Sequence, residues 1–142
     1  MTAKKYLERL RTIDIRIEQK IEELTRLEDI ATSVGNLAYG QRKKRSGTGD
    51  KVGNHASAIV DLQNEINHEI DGFVKDKHTV INQINNLEDG RYINILFKYY
   101  VEHKDFETIA GEMMYAYGHA LRIHKAALDH FQKEYQTILD VI

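Results

Sequence analysis

Residues 96–128 read LFKYYVEHKDFETIAGEMMYAYGHALRIHKAAL. Upstream and into this tract, Tyr92, Ile95, Leu96, Tyr99 and Tyr100 fall on one face of a short helix. His103-Lys104-Asp105 breaks it, and Asp105 is placed to cap a second helix of about 106–113. That helix carries Phe106, Ile109, Ala110 and Met113 inward, and Ala110 is small enough for a following helix to cross closely. Met114, Tyr115 and Ala116 make the turn. A third helix then buries Ala120, Ile123, Ala127 and Leu128, presenting Gly118, Leu121, Arg122, Lys125 and Asp129 outward. Two short-linked helices meeting through small residues form a helix-turn-helix pattern, whose second helix can lie in a DNA major groove. Tyr117 and His119 stand at the end of that helix where base edges are met.

Working outward, the N-terminal half is a support of long helices. Ala3, Leu10, Ile17, Leu24 and Ala31 recur every seven positions, with Tyr6, Ile13, Leu27 and Val34 in the partner position and Lys20 as the break. Thr2 is the expected N-cap. A second seam runs Ile59, Ile66, Phe73, Val80 and Leu87, flanked by Leu62, Ile70 and Ile84. Asn54 is the expected cap, and Glu88, Asp89 and Gly90 the expected end. Each helix is about 32 residues, or roughly 48 Å at 1.5 Å per residue. Matched lengths predict an antiparallel coiled-coil-like hairpin over residues 1–88, because a parallel pair forces the linker along the full helix. A lone hairpin leaves apolar surface uncovered, so its seam packs on the C-terminal helices or on a second copy.

Between the seams, residues 35–53 hold five of the nine glycines and the run Arg42, Lys43, Lys44, Arg45. This composition predicts a flexible loop over about 35–54. Its four cations are either a solvated insertion or an arm for auxiliary phosphate contacts. Residues 89–142 then form the helix-turn-helix domain with an extended C-terminal helix, on which Phe131, Tyr135, Ile138 and Ile142 continue one apolar seam. That seam docks on the hairpin or meets a dimer mate or other partner.

Composition narrows the classes. There is no proline among 142 residues, 30% are charged and the net charge is −2. No cysteine is present, so disulfides and thiolate zinc sites are excluded. The N-terminus lacks the apolar core of a signal peptide, and no stretch reaches membrane-span length, which points to the cytoplasm and no membrane partner. His119 and His124 are five apart and pair with no third ligand at metal spacing, so no metal or other cofactor is expected. His124 reads as a packed histidine. Tyr92, Tyr99, Tyr100 and Tyr115 read as core with a hydroxyl at the rim, leaving Tyr117 for contact. No nucleophile, base and orienter are spaced for catalysis, and an enzyme is not expected.

The run Tyr92-Ile-Asn-Ile-Leu-x-x-Tyr-Tyr100, then Phe106-Glu-Thr-Ile-Ala110, Met114-Tyr-Ala-Tyr117 and Ile123-His-Lys-Ala-Ala-Leu128, resembles region 4 of sigma factors. The whole chain resembles phage and prophage transcriptional regulators of Gram-positive bacteria, of the ArpU and RinA late-regulator type. The opening Thr2-Ala-Lys-Lys-Tyr-Leu-Glu-Arg-Leu10, Ala31-Thr-Ser-Val34, Asp50-Lys-Val-Gly53 and Ile59-Val-Asp-Leu-Gln-Asn-Glu-Ile66 carry that likeness. The resemblance implies a transcription activator that binds double-stranded promoter DNA and contacts RNA polymerase; a dimer would read two half-sites. It assigns DNA contacts to Tyr117, Gly118, His119, Leu121, Arg122 and Lys125. A second expectation comes from departures at these positions: Ala116 stands in place of a Ser or Thr cap, Gly118 has no side chain, and Ala126 stands where a basic residue often meets phosphate. It is a helical protein-interaction module that kept the fold, lost sequence-specific DNA reading and binds a phage or host protein.

Overall fold

The computed structural model describes residues 1–41 and 47–142, with side chains described outside 34–53. All its elements are helical: α1 (Ala3–Gln41), α2 (Gly47–Asn85), α3 (Gly90–Leu96), a π-helical turn (Phe97–Val101), α4 (Phe106–Met113), α5 (Tyr117–Glu134) and α6 (Gln136–Val141). Two long helices pack as a hairpin and shorter helices follow. Helix therefore runs to Gln41 and resumes at Gly47, which narrows the expected loop over 35–54. The physical reason is cooperativity: once nucleated, a long helix propagates through an isolated glycine at a cost of only about 1 kcal/mol. Arg42, Lys43, Lys44 and Arg45 lie outside the described residues. Asn54 is inside α2 and caps nothing, whereas Thr2 does cap α1, its Oγ1 accepting from Lys5 N at 3.3 Å.

The chain forms two compact units, Met1–Ile15 with Lys75–Ile142, and Arg16–Val74. They do not follow the expected division at residue 88, because the first turns of α1 belong to the same core as the C-terminal helices. In the first unit Tyr6 donates to Gln83 Oε1 at 2.6 Å, and its ring lies 6.0 Å from that of Phe131 on α5. Leu7, outside the heptad seam, is fully buried along with Leu10, Ile84, Ile95, Leu96, Ile109, Ala120, Ala127 and Phe131. A helix enclosed on two sides needs a wider apolar face than a two-stranded seam provides. Asp14 accepts from Lys77 at 2.7 Å, so α1 numbers rise as α2 numbers fall.

In the second unit the same antiparallel sense holds, with Lys20 pairing Glu69 at 2.9 Å and the Arg16 guanidinium 6.0 Å from the centre of the Phe73 ring. Ile17, Leu24, Leu27, Ile59, Ile70 and Phe73 are half-buried, and Ile66 alone among the described residues there is fully buried. Lys20, the break in the seam, carries its stem along the helix pair and places its ammonium between Glu23 and Glu69.

The expected C-terminal seam is corrected. α5 stops at Glu134, and Tyr135 (φ −113°, ψ 24°) leaves helical geometry before α6 begins. The break shifts the inward phase by one residue, so Leu139 is buried while Ile138 and Ile142 are exposed. Tyr135 is held where it is by donating to the Gln83 carbonyl at 2.8 Å. That carbonyl lies in the last turn of α2, where the helix has no amide left to satisfy it.

Candidate functional site

α4 and α5 carry the candidate site residues, and their local chemistry explains their placement. Asp105 (φ −79°, ψ 165°) is in extended geometry and accepts from Thr108 N at 2.8 Å, starting α4 as the sequence predicts. Ahead of it, Glu102 N reaches the Phe97 carbonyl at 3.0 Å, an i to i+5 bond that inserts one residue into the helical turn. The insertion turns both Tyr99 and Tyr100 toward α4 and α5. Tyr99 stacks on Phe106 at 4.4 Å, and Tyr100 shares a 2.9 Å hydrogen bond with Nε2 of His124.

His124 is a packed histidine, as expected. Burial among these rings, with Lys4 nearby, lowers its pKa to about 4. The Tyr100 hydroxyl is pushed well above its usual range by the same burial. His103 takes a left-handed conformation (φ 58°) and meets Asp14 at 2.6 Å. Burial pushes the Asp14 carboxyl up, but hydrogen bonds from Lys77 and His103 outweigh it and hold the group below the usual carboxylate range. An open cleft of about 530 Å³ lies beside His103, lined also by Glu8, Arg11, Tyr99 and Tyr100. It has no Ser, Thr or Cys that the histidine–carboxylate pair could activate.

α4 ends on Met114 in the left-handed region (φ 59°), with Tyr115 N bonded to the Ala110 carbonyl at 2.9 Å. This reverses the chain in three residues and starts α5 at Tyr117. Ala116 has extended N-cap geometry (φ −65°, ψ 149°) but no side-chain oxygen, so the first amides of α5 have no cap acceptor. Ala120, Ile123 and Ala127 face the core, whereas Leu128 is only half-buried. Tyr117, Gly118, Leu121, Arg122 and Lys125 all face outward together, and His119 is half-buried against the Tyr115 ring at 4.6 Å.

Two features of this surface were not legible in the residue pattern. Met114 is 92% exposed, because its left-handed backbone turns the side chain away from both helices. The Arg122 guanidinium folds back along α5, with Nη1 3.6 Å from where a Cβ on Gly118 would sit. On α4 itself, Glu112 pairs with both Lys98 and Lys104 at 2.7 Å. These two cations are therefore already paired, leaving Arg122 and Lys125 exposed on the outward face of α5, with the carboxylate of Asp129 one turn beyond Lys125. The auxiliary cations Arg42, Lys43, Lys44 and Arg45 lie outside the described residues.

Among the described residues no three His, Asp or Glu side chains gather to hold a metal ion, and no helix is long and apolar enough to cross a membrane. No protein-family model, curated protein or solved structure matches this chain.

Proposed function

We propose that this chain is a phage-type transcriptional regulator that binds promoter DNA through α4, the turn and α5 as a helix-turn-helix of the sigma-region-4 kind. The observation that carries the reading is the outward face of α5. Tyr117, Gly118, Leu121, Arg122 and Lys125 project from a helix whose other side is locked by Ala120, Ile123 and Ala127. Residues 113–128 contain no Asp or Glu in a chain with 22 of them. The N-terminal part of the face, before Asp129, meets a polyanion without carboxylate repulsion, and the uncapped amides of α5 point where a phosphate is accepted. RNA polymerase is the second partner implied by the family likeness, and a dimer would present two such helices to two half-sites.

Fluorescence anisotropy of labelled duplexes at two salt concentrations tests this. Binding should weaken steeply with salt. Arg122→Ala and Lys125→Ala should each lower affinity at least several-fold, and loss of a phosphate contact should reduce the salt slope by about 1. Affinity unchanged in both variants would sink the reading.

One observation favours the second reading, a protein-interaction module. Met114 in the turn and Tyr117 and Leu121 on α5 expose apolar surface, while Glu112 neutralises Lys98 and Lys104. A module of that kind binds no duplex at physiological salt, and Arg122→Ala leaves its partner binding intact.

A further inference from the structure

The outward face of α5 can make only a few of the contacts by which proteins read bases. Residues 113–128 contain no Asn or Gln, which pair bidentately with adenine, and no Asp or Glu, which accept from cytosine. Ser and Thr are absent as well. The large exposed apolar groups at its start are Tyr117 (56%) and Leu121 (38%), one helical turn apart, with Met114 exposed in the turn before them. Arg122 lies back over Gly118, the neighbour of Tyr117 in the first turn of α5. In a major groove, apolar side chains recognise the thymine C5-methyl, and arginine recognises guanine N7 and O6. With two cations, Arg122 and Lys125, against one carboxylate, Asp129, the face is net basic and complements the groove of a polyanion.

Resting on the DNA reading of α5, we infer that this face selects a thymine-rich major groove. Leu121 and Tyr117 lie against methyl groups and Arg122 pairs with one guanine. Gly118, having no side chain, leaves the space in which the Arg122 guanidinium lies.

The test uses the full chain and duplexes enriched from a random pool at low salt, then remade with uracil in place of thymine. That exchange removes the C5-methyl and leaves pairing and every hydrogen-bonding atom in place. Each contacted thymine should lose about fourfold in affinity, the equivalent of ~0.8 kcal/mol for one buried methyl. In Leu121→Ala, exchanging the thymine that Leu121 touches should have no further effect. Leu121 lies outside the core, and a circular-dichroism melt matching the parent checks that the variant folds. Undiminished affinity for the uracil duplex would overturn the thymine inference while leaving DNA binding intact. Failure to enrich any duplex would overturn both together.

Discussion

The His124 imidazole is walled by Tyr99, Tyr100 and Phe106, so charging it means giving up hydration that the unfolded chain provides. Its pKa falls from the usual 6.5 to about 4 on folding. A depressed histidine leaves the unfolded state binding more protons below pH 6.5, so stability is full above that value and declines as pH falls toward 4. The loss should approach about 2 kcal/mol once solvent screening of a part-exposed ring is allowed for. Urea unfolding at pH 7 and pH 4.5 should show it, and His124→Gln, which keeps a partner for Tyr100 but does not titrate, should flatten the difference. An equal pH slope in the variant would assign the effect elsewhere. Asp14, with its lowered pKa, loses its contribution only in a separate window below its ordinary carboxylate range. That His124 packs inward was readable from its place beside Ile123. Its partner was not, since Tyr100 is 24 residues away and faces it only because of the π-helical turn.

Among the helices, the caps divide into those that sequence proximity fixes and those that it does not. Asp105 caps α4 because its carboxylate reaches an amide three residues on, a contact needing nothing from elsewhere in the fold. Asp105→Ala should therefore cost about 1 kcal/mol in urea unfolding. Ala116 is the reverse case: the backbone is already in cap geometry and lacks only the oxygen. Ala116→Ser should raise stability by up to about 1 kcal/mol. A destabilised serine variant would mean that the turn geometry cannot accept the hydroxyl. The left-handed Met114, the π-helical turn and the break at Tyr135 carry no Gly or Pro signal and were invisible in the sequence. Each arises where helices already packed on either side fix the chain ends, and the backbone between them must fit the remaining distance.

For the molecule as a whole, burial is uneven. The unit of Met1–Ile15 and Lys75–Ile142 holds nearly all of the described core, whereas Arg16–Val74 has a half-exposed seam around Ile66. A two-helix pair with so little buried surface is marginal by itself. Hydrogen exchange should be slowest at Leu10, Ile95 and Ile123 and clearly faster over residues 16–33 and 54–74. A dimer that covers the seam should raise protection there as protein concentration increases. Exchange independent of concentration, with a monomer mass by sedimentation, would remove the dimer from the proposed function.

By itself the sequence determined the helices and their faces: the antiparallel seams through Leu10 and Ile66, the start of α4 at Asp105, and the outward set of Tyr117, Leu121, Arg122 and Lys125. These follow from periodicity and from contacts within one turn, both written locally in the chain. Only the tertiary structure decided that Leu7 is core, that Leu139 replaces Ile138 as the inward residue, that Arg122 folds over Gly118 and that Glu112 occupies Lys98 and Lys104. Those outcomes depend on which second surface arrives at a residue and on the backbone adjustments that let it arrive. A single helix's pattern does not encode that information.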